Sequence, residues 1–154
     1  CDISVGALAC AEIINPAPNL TYVRADENGM AAIPDASIDV AYSFAVIQHL
    51  TDETFEHVLA NCGRKVRPGG KLVLHIQLSD EIWKSEDEWR SDTSVKGKLK
   101  FRYGLHCFGR TAEHHRELVE KYGFTDIRIE PLAAEVAAEL NGTKAEAILF
   151  ATRA

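Results

Sequence analysis

Asp2, the pair Asp26-Glu27 and the step Ser43-Phe44 each close a short apolar run, and His49 follows shortly after the last of them. In open α/β sheets ligands gather at the carboxyl ends of strands, near the switch in strand order. Groups of these types at such ends suit a nucleoside ligand. One carboxylate accepts from both ribose hydroxyls, a second accepts from the adenine amino group, and backbone carbonyls past Ser43-Phe44 take up an ammonium. A single Asp at a strand end also serves turns and caps. Two acids and a polar strand end in this order favour the ligand. His49 has two readings: it takes a proton from a hydroxyl or amine nucleophile, or it packs on the helix behind it and hydrogen-bonds backbone.

The elements that must position these groups alternate. Residues 1–3 read as the tail of a strand, and Ser4 caps a helix with Val5, Leu8, Ala9 and Ile13 at helical spacing, ended by Asn15-Pro16. Leu20 to Ala25 reads as a short strand and Asn28-Gly29 as a turn. Ile38 to Phe44 is mostly apolar on both faces, as buried parallel strands are. Thr51 caps a helix with Asp52 and Glu53 in its first turn, where negative charge suits the dipole. Phe55, Val58, Leu59, Cys62 and Val66 form its inward stripe, and Pro68-Gly69-Gly70 stops it before a strand over Leu72 to Leu78. Thr111 caps a further helix, Thr125 to Glu130 and Ala145 to Thr152 are the final strands, and Ala133 to Leu140 between them is partly helical. This alternation predicts an α/β, doubly wound, mostly parallel sheet with helices on both faces.

Residues 79–110 break the rhythm. They are rich in charge and carry Trp83, Trp89, Phe101, Tyr103 and Phe108 without a clean period, so an irregular insertion or lid is expected there. Its aromatics either wall a pocket for a planar or cationic acceptor or form the small core of the insertion.

At 154 residues the chain is expected to form a single domain. Its net charge of -6 repels phosphate backbones and argues against nucleic acid as a partner. No apolar run reaches the length of a membrane helix. Cys1, Cys10, Cys62 and Cys107 form no closely spaced pair, so no metal site is expected, and four reduced thiols point to a cytoplasmic protein.

The ordered set of motifs resembles the class I S-adenosylmethionine-dependent methyltransferases. Cys1-Asp2-Ile3-Ser4 is similar to the family's second strand with its ribose-binding acid. Arg24-Ala25-Asp26-Glu27, Ile33-Pro34 and Ser37-Ile38-Asp39-Val40 resemble the stretch whose first Asp approaches adenine. Val46-Ile47-Gln48-His49-Leu50 resembles the segment after the next strand, Arg64 to Leu72 the family's Pro-Gly-Gly signature, and Tyr122-Gly123-Phe124 the step before its sixth strand. The resemblance implies a Rossmann-like fold and S-adenosylmethionine as cofactor, held by Asp2, Ile3, Asp26, Glu27, Ser43 and Phe44. It also implies methyl transfer to a small-molecule acceptor, with His49 as the catalytic candidate.

The family's first strand and glycine-rich loop have no counterpart in these residues. The chain is therefore expected to be the later part of a longer one, lacking on the order of 30–45 residues at usual βαβ lengths. Two other readings share the sheet: a non-catalytic methyltransferase-like scaffold for a protein partner, and a nicotinamide-dependent oxidoreductase, which the Arg67-Pro68-Gly69-Gly70 context disfavours.

Overall fold

The computed structural model describes residues 1–25, 30–79, 84–104, 106–132 and 145–154. Asp26, Glu27 and the Asn28-Gly29 turn lie outside the described residues, as do Trp83 and the expected helical stretch over 133–140. The elements are α1 (Val5–Ile14), β1 (Ile38–Ser43), a 3₁₀ turn (Ile47–His49), α2 (Asp52–Lys65), β2 (Val66–Gln77), α3 (Glu86–Ser91), α4 (Val95–Arg102), α5 (Ala112–Lys121), β3 (Phe124–Pro131) and β4 (Glu146–Arg153).

The α/β class holds, with one correction to the sheet. Its order is β1-β2-β4-β3; β1 runs parallel to β2, whereas β4 is antiparallel to both β2 and β3. The sheet is mixed because β4 returns between β2 and β3 instead of crossing over to an outer edge. Alternation along β2 and β4 then sets the two faces. Leu72, Leu74, Ile76, Ala147, Leu149 and Ala151 point to the core, where Phe55, Leu59 and Cys62 of α2 and Leu118 and Val119 of α5 meet them. Val73, His75 and Gln77 take the opposite face by the same alternation. On that face Val40 and Tyr42 of β1 stand exposed.

The caps form as their residues imply. Ser4, Thr51 and Thr111 accept from the backbone N–H of Ala7, Thr54 and His114. α2 ends at Lys65, where the Val66 N–H bonds back to the Cys62 carbonyl. β2 begins at once, earlier than Leu72, because Ser37 N–H already pairs with the Lys65 carbonyl at 2.9 Å and Ile38 with Val66. The Pro-Gly-Gly step is thus an irregularity inside the β1–β2 ladder. A Cβ on Gly70 would sit 2.9 Å from the Asp39 carbonyl, so the two chains approach this closely only with glycine there.

Two further expectations change. The run Leu20 to Ala25 forms only an isolated parallel bridge, Asp2 with Arg24, and α1 buries none of its residues. Residues 84–104 are more ordered than their composition implied. α3 carries a full capping box between Ser85 and Glu88, and α4 is capped by Ser94. These local signals outweigh the missing apolar period in helices too short to show one.

Candidate active site

The carboxyl ends of β1 and β2 point the same way, and the chain segments after them meet there. Ser43, half-buried, closes β1. Phe44 follows and stacks on His75 near the end of β2, centroids 4.4 Å apart and planes 16° from parallel. Ala45 has a φ of 56°, unfavourable for any residue with a Cβ, and its N–H donates to His75 Nδ1 at 3.2 Å. Burial pushes the His75 imidazole down from its ordinary value, against the opposing pull of the Glu146 carboxylate.

His49 stands exposed at the end of the 3₁₀ turn. Its Nδ1–H donates to the His106 carbonyl at 2.8 Å, which fixes the tautomer and leaves the lone pair on Nε2. The Cys107 thiol lies 3.8 Å from the same Nδ1, and burial first, Glu146 second, push that thiol up.

What holds the turn is the segment 106–110. Arg110 is joined to Leu78 by a parallel bridge and is itself buried. Its Nε donates to Asp52 at 2.6 Å, and its two terminal nitrogens donate to the carbonyls of Ile47 and Leu50. The guanidinium lies over the rings of Phe55 and Phe108, 5.4 and 5.9 Å from their centroids. Phe108 N–H bonds the Gln48 carbonyl at 2.6 Å. Burial raises the Asp52 carboxyl, but the bonds from Arg110 and His114 outweigh it and the net direction is down.

The aromatics of the expected insertion form a small core. Phe101 stacks on His106 at 4.6 Å, Trp89 and Phe108 meet the same ring edge-on, and Trp89 Nε1 donates to the Cys107 carbonyl. Tyr103 is exposed.

Of the residues singled out from sequence, Ser43, Phe44 and His49 therefore share one end of the sheet. Asp2 and Ile3 lie on the separate bridge formed with Arg24, which no strand pairing among the described residues joins to β1. Asp2 accepts the Ser4 N–H on Oδ1 at 2.8 Å, and Ile3 is exposed beside it. Ala25 N–H bonds the Asp2 carbonyl at 3.0 Å, and Asp26 and Glu27 lie outside the described residues. His75, Glu146, His106 and Arg110 were not found from sequence. One signal pointed to His75: a polar side chain out of phase with Leu72, Leu74 and Ile76 in an otherwise apolar strand.

Residues 1–74 match a family model described as a methyltransferase domain. No curated protein matches the sequence. Solved structures share this fold at low identity. A Mesorhizobium loti S-adenosylmethionine-dependent methyltransferase matches with a TM-score of 0.68 and 20% identity, over 98% of this chain and 77% of that one. An Archaeoglobus fulgidus methyltransferase of the same description matches at 0.61 and 16%, over 98% and 73%. A possible exported protein of Bordetella parapertussis matches at 0.61 and 18%, over 96% of this chain and 49% of its own. The chain thus spans about half the length of the last and about three quarters of the other two.

Proposed function

We propose that this chain carries out methyl transfer from S-adenosylmethionine to a small-molecule acceptor. The observation that supports this most is the family match over 1–74. It ends within the β1–α2–β2 unit that brings Ser43, Phe44 and His49 to one end of the sheet. The donor set suits the cofactor. Asp2 spends one carboxylate oxygen on the Ser4 N–H and has a second for ribose hydroxyls, and the exposed Ile3 and Phe44 offer apolar surface to the nucleoside. Asp26 and Glu27 are assigned to the adenine side by the same reading, and the backbone past Ser43 to the ammonium.

When bound, S-adenosylmethionine supplies an electrophilic methyl carbon. The chain's own task is then alignment and, for a protonated nucleophile, proton removal. His49 is the group assigned to that proton: its Nδ1–H is committed to the His106 carbonyl, so Nε2 is the acceptor. The segment 79–110 is read as the cover over the acceptor, and free thiols at Cys1, Cys10, Cys62 and Cys107 support a cytoplasmic setting.

Calorimetric titration of the protein with S-adenosylhomocysteine tests the reading. Binding is expected, and Asp2→Ala and Asp26→Ala are each expected to abolish it. His49→Ala should lower turnover while leaving that affinity intact; unchanged turnover removes His49 from the mechanism. No binding at all would favour the non-catalytic scaffold.

A further inference from the structure

His75 is a buried imidazole in an apolar strand with both of its nitrogens accounted for in an unusual way. Nδ1 accepts the Ala45 N–H at 3.2 Å. A nitrogen that accepts is unprotonated, so the proton of the neutral ring is on Nε2. Among the described residues Nε2 has no hydrogen-bond partner, and the atom facing it is Glu146 Oε2 on β4, 3.9 Å away and also without one. A carboxylate at that side favours a proton on Nε2 over one on Nδ1, because it attracts the N–H dipole and repels the lone pair. His75's partner across the β2–β4 ladder, Ile148, is apolar, and the turn after β1 contributes only the Ala45 N–H and the Phe44 ring. Among the described residues Glu146 is therefore the charged group facing this ring.

The turn so held is strained. Ala45 sits in the left-handed region, where a Cβ costs on the order of 1–2 kcal/mol, so the conformation persists only if its surroundings impose it. The imidazole imposes it twice, through the N–H bond and through the stacked Phe44 ring above. We propose that His75 is a positioning residue that latches the turn Phe44-Ala45 in its cofactor-ready form through its neutral, Nε2-protonated tautomer. This rests on the methyltransferase reading only for the word cofactor; the latch itself is a property of the unliganded chain.

Two measurements on the protein test it separately. Proton–nitrogen correlation spectra of the histidine side chains, recorded without ligand near neutral pH, should show His75 protonated at Nε2 and bare at Nδ1. The opposite tautomer overturns the latch. Calorimetry with S-adenosylhomocysteine then compares His75→Asn, whose amide oxygen can replace Nδ1 as the acceptor, with His75→Leu, which has none. Removing one hydrogen bond and freeing a strained turn should weaken binding by about tenfold in His75→Leu, with His75→Asn within about threefold of the natural protein. Circular dichroism checks that the variants fold, and should His75→Leu not fold, His75→Phe, which keeps a ring against Phe44 but offers no acceptor to the Ala45 N–H, is expected to give a smaller loss of the same kind. Equal affinities across all variants overturn the positioning role even if the tautomer is the expected one. Failure of the natural protein to bind S-adenosylhomocysteine refutes the methyltransferase reading, and the tautomer still decides the latch.

Discussion

Replacing Arg110 with Met removes the buried guanidinium and keeps most of the aliphatic stem. Three losses follow. The carbonyls of Ile47 and Leu50 each lose a charged donor inside the protein, at about 1–3 kcal/mol per group if left without a partner. The faces of Phe55 and Phe108 lose a cation, about 0.5–2 kcal/mol in all. The bond to Asp52 is worth little by comparison, about 0–1 kcal/mol, because that carboxylate is 43% exposed and stays hydrated without Arg110. Leu50 is only half-buried and water reaches part of that deficit, so the total is about 3 kcal/mol. Urea unfolding followed by tryptophan fluorescence should show this as a lower midpoint for Arg110→Met, with Asp52→Asn costing about 1 kcal/mol or less. Arg110 also fixes the turn that ends in His49, so on the proposed function methyl transfer should fall further than affinity for S-adenosylhomocysteine. If Asp52→Asn destabilises as much as Arg110→Met, the ion pair holds the turn and the carbonyl argument is wrong.

Other consequences are open to direct measurement. Gly70→Ala puts a Cβ 2.6 Å from Val66 Cγ1 and 2.9 Å from two carbonyl oxygens, and should cost about 1–3 kcal/mol of stability by thermal unfolding. Gly69→Ala meets nothing nearby, and its cost of about 1 kcal/mol comes from a φ of 77° alone. Burial, with Arg110 adding to it, holds His115 down to about 4 from 6.5. The unfolded chain therefore binds more protons between those values. Stability is complete above pH 6.5 and is lost as pH falls toward 4, by about 3 kcal/mol in total, and His115→Leu should flatten that slope. Burial pushes the Cys62 thiol up to about 11, whereas Cys1 and Cys10 are exposed. Peptide mapping after brief alkylation at mildly alkaline pH should find Cys1 and Cys10 modified well before Cys62; equal labelling would contradict its burial.

Much of the fold was legible because the signals are local. Ser4, Thr51 and Thr111 cap helices since each offers an oxygen to an N–H three residues on, and the apolar stripe Phe55, Leu59, Cys62 is the face α2 buries. The short helices α3 and α4 were missed because six and eight residues give no readable period, although the Ser85–Glu88 capping box was there to be seen. The direction of β4 was missed for a different reason: an apolar alternating strand reads the same in a parallel or an antiparallel ladder.

The site divides along the same line. Residue type and order marked Ser43, Phe44 and His49 as groups at and just past a strand end, because chemistry and a place relative to an apolar run are both written in the chain, whereas the strand expected before Asp2 is only an isolated bridge. Which nitrogen of His49 carries its proton depends on a carbonyl 57 residues away, and the shape of the Ala45 turn depends on an imidazole 30 residues away. Local sequence marked Ser43 and Phe44 as the end of β1. Only the packing of β2, β4 and the 106–110 segment against that end decided how those groups are held, since a hydrogen bond between distant residues exists only once the chain has folded.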